Sequence, residues 1–456
     1  MNYSPVVYLV DNKRRDLSGA ALVAFQLERL GVPCVIEPLE AYRGILAVYK
    51  PSMVVINHLL ATHLVQYSKR LKDLGILVGV LPNEGIYYGI SDLMFNAGRA
   101  HNDAHIDVYF CWNRVHAKAL VEVGFETEKI KIVGTPRSDF YFHPWNSYYD
   151  LPDNEFPNRR QKVLFCTNFT IAKYYDLPKF EADKLYESWQ RNADRFKDYW
   201  GAIGVTYRNR ERSLVFLKAL LESNLFNVVL RIHPSEDPDR YLQFISTLSE
   251  REKSSLRLDR DSSISALILD CDIEVSMDSC QTALDSWVAK KPTISLDLEQ
   301  HEMLSNKLLD YCHVKSANSD TFVDDICREL KNPLQPEYEA SRQDHLETWL
   351  DCPQGKSAEK IAALILNMLT ERYHARSARG DFAGRLTFSD VRRGAKLKLL
   401  RAFNLPYSWH PQLKLRELLD KKSVYIKKET LDKTISPNEA KLAKEKLLKL
   451  YQGPAL

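Results

Sequence analysis

Short apolar runs alternate with longer amphipathic stretches along most of the chain. Val6–Val10 has the unbroken apolar character of a buried strand. A polar loop, Asp11–Asp16, follows, then helical spacing from about Ser18 to Leu30, a stop at Gly31 and a second strand at Cys34–Ile36. Further strands are predicted at Met53–Asn57, Ile76–Leu81, Val108–Cys111 and Ile130–Val133, with a helix near Leu64–Leu74. The stretch Phe140–Arg160, rich in Pro, Asn, Asp and aromatic residues, reads as a linker. A second series then begins. It has a strand at Val163–Cys166, a helical region over Lys179–Asn224, a strand at Val228–Ile232, a helix over Pro238–Ser249 and a strand near Leu256. A strand from Ile273, a helix running to Lys290 and a strand within Lys291–Ser295 follow. Gly355–Thr370 closes the series as a helix, with Ile361, Leu364, Ile365, Met368 and Leu369 at helical spacing. Such alternation predicts an α/β fold of two Rossmann-like parallel-sheet domains facing a cleft. The expected division is 1–140, a linker at 141–160, a second domain at 161–372 and a helical tail at 373–456. No internal sequence repeat is present.

Composition changes this picture at one place. Of 456 residues, 45% are apolar and 27% charged, ordinary values for a globular chain, and the net charge is +3. That small sum hides an asymmetry: from Arg372 onward there are 20 Lys and Arg against 8 Asp and Glu, which leaves an acidic body and a basic tail. The tail reads as amphipathic helices at Val391–Phe403 and Lys441–Tyr451, with leucines at 397, 399, 400, 447, 448 and 450. It is expected to pack on the body or to meet an anionic membrane surface. It lacks the aromatic platform that nucleic-acid binding would use. Eight cysteines without Cys-x-x-Cys spacing point to a reducing compartment rather than to zinc or disulfides. The N-terminus does not read as a signal peptide, and no apolar run approaches a membrane span. The expected location is the cytoplasm, peripheral on the inner face of the membrane.

The chemistry concentrates where strands end. Pro234 must stop its strand, so His233 falls at the C-terminal lip of a parallel strand, where α/β sheets bind ligands, with Arg231 two residues back on the same face. About forty residues later a strand, a small polar turn and a helix start bring Ser279, Cys280, Gln281 and Thr282 together. N–H groups at such a start hold anions or are simply capped by Asp278 or Ser279. An imidazole beside a helix start suits a nucleotide phosphate. Asp285 reads as a ribose ligand or as a surface acid, and Asn168 as a residue lining the donor cleft. Arg137 is expected to order the loop through Asp139. Lys13, Arg14 and Arg15 would meet an anionic acceptor or stand solvated. No metal or cofactor is expected: the histidines lack zinc spacing, and Asp270-Cys-Asp272 sits between a helix and a strand whose neighbours fit another arrangement.

Taken together, these stretches resemble a GT-B glycosyltransferase, and more closely the bacterial surface carbohydrate biosynthesis protein family. The resemblance rests on Lys13-Arg-Arg-Asp-Leu17, Leu81-Pro-Asn-Glu-Gly85, Gly134-Thr-Pro-Arg-Ser-Asp139, Val163–Phe169, His233-Pro-Ser-Glu236 and Ser276–Pro292, and spans residues 5 to 372. Asn83-Glu-Gly85, His233-Pro234 and Ser279-Cys280 are also similar to three motifs of bacterial sialyltransferases and Kdo transferases. In those enzymes acidic residues serve the chemistry and the other motifs hold a cytidine phosphate. Asn83 stands where those families have the first acid, and Cys280 where they have a second Ser or Thr, so Glu84 is the one carboxylate the motif supplies. The resemblance implies transfer of a sugar, such as a CMP-linked ulosonic acid, from an activated nucleotide to capsule, O-antigen or lipopolysaccharide, or to a lipid-linked acceptor. Glu84 would act as base toward the acceptor hydroxyl or meet an oxocarbenium-like centre. The rivals are a polyol-phosphate transferase of the teichoic-acid type, which would place a histidine near Glu84, and a non-catalytic nucleotide-sugar-binding assembly protein.

Overall fold

Why the chain needs its tail is written in its first helix. Ser18–Leu27 is apolar or small nearly all round, so covering one side with a sheet leaves another side wet. The computed structural model describes residues 3–59, 61–85, 90–150, 156–190, 196–277, 281–304, 314–332, 336–351, 354–375, 385–407 and 432–452. In it the chain forms two compact units, Met1–Tyr148 with Glu347–Leu456, and Tyr149–Leu346.

The first unit holds a six-stranded sheet in the order β2-β1-β3-β4-β5-β6, every pairing parallel. Its strands are β1 (Val6–Val10), β2 (Cys34–Pro38), β3 (Met53–Ile56), β4 (Leu77–Val80), β5 (Val108–Cys111) and β6 (Ile130–Ile132). The helix after β1 runs over Lys13–Arg29, starting earlier than the periodicity predicts. The Asn12 side chain caps it by accepting from the Arg14 and Arg15 N–H groups, so the charged triplet becomes its first turn. Helices from the end of the chain complete this unit. The Pro437–Gln452 helix packs on Lys13–Arg29 and buries Ala440, Ala443 and Leu447. The Phe388–Ala402 helix packs on Gly44–Tyr49. That approach is close because both helices present glycine: a Cβ at Gly44 would lie 2.9 Å from the Arg393 carbonyl oxygen, and one at Gly394 2.7 Å from the Ala47 Cβ.

This division differs from the one read along the sequence, which placed residues up to 372 in the second domain and left the tail apart. The Ser357–Ala375 helix belongs to the first unit because Asp139 caps it, accepting from the Ser357 N–H at 3.0 Å and the Ala358 N–H at 2.8 Å. Burial raises the Asp139 carboxyl to about 6 against those donors. The Arg137 guanidinium lies 5.6 Å from the Trp112 ring centroid.

The second unit holds β7 (Lys162–Cys166), β8 (Asn227–Arg231), β9 (Leu256–Asp259), β10 (Ile273–Ser276), β11 (Thr293–Leu296) and β12 (Val314–Ser316). They form a second all-parallel sheet in the order β12-β11-β10-β7-β8-β9. Val163, Phe165, Val228, Leu230, Ile273 and Val275 fill its core against helices such as Tyr199–Ser223 and Ser319–Lys331. Among the described residues no helix is long and apolar enough to cross a membrane.

Candidate active site

In the second unit the chain starts at the middle strand β7, steps outward through β8 and β9, and returns to the other side of β7 as β10. Where strand order reverses, the loops leaving β7 and β10 part, and ligands bind at such a crevice. Asn168 and His233 each follow, by two residues, the paired Cys166 and Arg231. They therefore leave adjacent strands at the same edge, as does the segment after Ser276. Ser279 and Cys280 lie outside the described residues.

The β7 and β8 loops are fastened together from beneath by Glu236, a residue the sequence reading quoted in the motif but gave no role. Its side chain is 2% exposed. One carboxylate oxygen accepts from the Thr167 hydroxyl at 2.8 Å and from the His233 N–H at 3.1 Å, and the other accepts from the Tyr241 hydroxyl. Burial pushes this carboxyl up, opposed by Tyr241 and Thr167. The available signal was an acid three residues after His233, within reach of that residue's own N–H.

His233 is neutral. Burial, then Arg231, Arg260 and Lys173, pull its pKa down to about 4. Its Nδ1 accepts the Ser235 N–H at 3.1 Å, so hydrogen-bond pattern assigns the ring proton to Nε2, which is the donor. The surrounding cations are held in place: Arg231 pairs with Asp259 at 3.0 Å, Arg260 Nε donates to the Pro234 carbonyl at 3.1 Å, and Lys173 donates to the Ser235 carbonyl at 3.3 Å. Pro234 thus both ends the strand and offers its carbonyl to Arg260.

The helix Gln281–Val288 departs from expectation in two details. The Thr282 hydroxyl donates to Glu274 Oε1 at 2.8 Å, toward the sheet, and so is engaged away from any phosphate. Glu274 is fully buried on β10, and burial lifts its carboxyl to about 8, opposed by Thr282, Cys166 and Ser276. Asp285 is buried, which removes the surface-acid alternative. The Asp270-Cys-Asp272 pair serves the opposite edge: Asp270 pairs with the Lys162 ammonium at 2.8 Å, and Asp272 accepts the Lys162 N–H at 2.7 Å at the start of β7.

In the first unit Arg15 is the hub. Its guanidinium meets Asp16 at 2.8 Å, Glu84 at 3.0 Å and Asp11 at 3.8 Å. Burial raises the Asp16 carboxyl, with Arg15 opposing. Glu84 is 66% exposed. Its loop is clamped on Trp112: the indole N–H donates to the Pro82 carbonyl at 2.8 Å, and Asn113 donates to the Gly85 carbonyl at 2.6 Å. A Cβ at Gly85 would lie 2.5 Å from the Trp112 ring, so the close approach this glycine permits is to that ring. Lys13 and Arg14, expected beside Arg15 as acceptor ligands, turn elsewhere: Lys13 pairs with Glu439 at 2.6 Å and Arg14 with Asp432. Sequence reading missed Asn57 and His58, which follow β3 beside β1. Asn57 is 2% exposed, and neither its amide nitrogen nor its oxygen has a hydrogen-bond partner among the described residues. Burial lowers the His58 pKa, Asp11 opposing. A polar pair directly after the apolar run Met53–Ile56 was the signal.

No family model matches the chain, and no curated protein matches it. Solved structures do. A candidate UDP-N-acetylglucosamine 2-epimerase of Listeria monocytogenes aligns at TM-score 0.51 and 11% identity, over 81% of this chain and 98% of that one. MnaA of S. aureus, solved with UDP, aligns at 0.50 and 11%, over 83% and 99%. Another UDP-N-acetylglucosamine 2-epimerase aligns at 0.51 and 12%, over 84% and 99%. The fold is GT-B. At such identities the likeness is one of fold, and activity must be argued from this chain's own residues.

Proposed function

We propose that this protein is a glycosyltransferase that moves a sugar from a nucleotide-activated donor to a bacterial surface glycan or its lipid-linked precursor, at the inner face of the cytoplasmic membrane. The observation that carries this reading is the β10-β7-β8 rim, where a neutral His233 presents an Nε2 donor amid Arg231, Arg260 and Lys173. Such a rim favours an anionic phosphate over a neutral ligand. The second unit would hold the donor nucleotide, with Asn168, Pro234 and the Ser279–Thr282 segment around it. The first unit would hold the acceptor near Arg15. As the acceptor oxygen bonds to the anomeric carbon, the bond from that carbon to the phosphate oxygen breaks. The electron pair leaves with the nucleotide, and Glu84 takes the acceptor proton. The three-motif resemblance favours a CMP-linked ulosonic acid as donor.

The experiment is a thermal-shift screen of CMP-, UDP-, GDP- and CDP-activated donors on the wild type and on His233→Ala. One class should stabilise the wild type, and the variant should lose that stabilisation while its unliganded midpoint stays within a few degrees. Equal stabilisation of both proteins would remove the donor-phosphate role. A second reading, a nucleotide-sugar 2-epimerase, is favoured by the fold likeness to such enzymes. It predicts that UDP-N-acetylglucosamine alone, with no acceptor, yields its C2 epimer in a proton NMR time course. A polyol-phosphate transferase would respond to CDP-polyols, and a non-catalytic protein would bind a donor without consuming it.

A further inference from the structure

The Phe388–Ala402 helix has two unlike faces. Toward Gly44–Tyr49 it buries Asp390, Gly394, Leu397 and Leu400. The opposite face is apolar as well: Phe388 is 84% exposed, Val391 51%, Leu399 60% and, just beyond the helix, Phe403 68%. At 3.6 residues per turn these four share one face about 120° wide, with Lys396 at one edge, Lys398 at the other and Arg392 within it between Leu399 and Phe403. A helix covered on one side by protein has no need of two phenylalanines on its wet side.

We propose that this stripe docks the protein on an anionic lipid bilayer, with the helix lying in the interface and the rings of Phe388 and Phe403 among the upper acyl chains. Charge decides the occupant. Between Arg385 and Tyr407 there are six Arg and Lys; Arg401 is taken by Glu37, and Asp390, the one acid, is paired with Arg70 at 2.9 Å, which leaves Arg392, Lys396 and Lys398 exposed on the side of the stripe. A second copy would bring the same cations to the same face and repel. Anionic headgroups complement these cations while the stripe enters the acyl boundary. Packing on the body and facing outward divide the leucines at helical spacing: Leu399 is exposed, whereas Leu397, Leu400 and Leu447 are not. These three are buried within the first unit. The inference rests on the peripheral placement in the proposed function and not on its chemistry: vesicle binding needs no donor, so either can fail alone.

The test is co-sedimentation of the full chain with phosphatidylcholine vesicles and with phosphatidylcholine–phosphatidylglycerol vesicles at physiological salt. The wild type should pellet with the anionic vesicles. Arg392→Glu with Lys396→Glu and Lys398→Glu should weaken that binding by about 100-fold or more, since each basic residue near such a surface contributes roughly fivefold. Phe388→Ser with Leu399→Ser and Phe403→Ser should abolish it. Both variants should keep the wild-type circular dichroism and a thermal midpoint within a few degrees: the changed side chains are exposed, and Lys396 gives up its contact with the Tyr407 ring at 4.5 Å. Wild-type protein that ignores anionic vesicles, or variants that bind them unchanged, would overturn the proposal. So would loss of folding in the variants, which would mean that the chain covers this face itself. A lipid-free drop in oligomer mass by sedimentation velocity would assign the face to a second copy.

Discussion

The two candidate rims are built on different principles. At the His233 rim a buried carboxylate, Glu236, ties two loops from below, and the group that faces outward is an uncharged ring among cations. At the Glu84 rim the outward group is itself charged: an exposed carboxylate leans on Arg15, which is shared with Asp11 and with the largely buried Asp16. The first arrangement is preorganised to receive a fixed negative charge. The second is a set of exchangeable pairs in which an incoming hydroxyl or anion can replace one partner. The proposed function would give the first rim to the donor phosphate and the second to the acceptor.

The sharpest way to break this comparison is Glu84→Gln. It keeps the shape of the side chain and removes the base, so transfer should fall by ~10²–10⁴-fold. Donor affinity, read by thermal shift on the same protein, should hold within a few-fold. Near-normal transfer would move the carboxylate role to Asp16.

Glu236→Ala tests the rigid side. It leaves the hydroxyls of Tyr241 and Thr167 without their acceptor, and each unsatisfied buried group costs about 1–3 kcal/mol. Urea denaturation should show a loss of about 3 kcal/mol, and Glu236→Gln a smaller one. A loss below about 1 kcal/mol for the alanine variant would mean that the loops are held by something else.

Glu439→Gln probes the pair that occupies Lys13. A partly exposed ion pair is worth about 0–1 kcal/mol, so the urea midpoint should barely move. A larger shift would make this pair a main fastening of the Pro437–Gln452 helix.

The smallest expected effect is the most diagnostic for His233. Its folded pKa, about 4, lies below the ordinary value, so the protein binds fewer protons than the unfolded chain between the two. The ring therefore favours folding above about pH 6.5, and that contribution is lost as pH falls toward 4. From pH 6.5 to 8 the folded ring, with its pKa near 4, stays neutral, so isothermal calorimetry should give donor affinity flat over that range. A steady loss of affinity as pH rises would show that imidazolium is the binding form.

Much of this was legible in the sequence, for identifiable reasons. Apolar runs such as Val6–Val10 and Val163–Cys166 have few alternatives to a buried parallel strand, and the strand ends placed His233 and Glu84 on their loops. What periodicity hides is the use of a polar atom. Asn12-Lys-Arg-Arg looks like a loop until the Asn12 side chain is seen capping a helix. Glu236 looks like a surface acid until its loop folds over it, and Thr282 like a ligand until Glu274 takes its hydroxyl. The two amphipathic stretches of the tail are helices, Phe388–Ala402 and Pro437–Gln452, but which of their leucines face inward depends on a surface built more than three hundred residues earlier.

That last dependence has a consequence for biosynthesis. The partner of Lys13 is Glu439, so the first helix emerges from the ribosome long before the helix that covers it. At ~5–20 residues per second the wait is roughly 20 to 85 s. The Ser357–Ala375 helix, which packs on the same helix, is made sooner, but the part of Ser18–Leu27 that Pro437–Gln452 covers waits until after the whole second unit, Tyr149–Leu346, has been synthesised. The nascent chain therefore carries a sticky surface through most of its translation, and a ribosome that stalls anywhere before Pro437 releases a substrate for holdase chaperones.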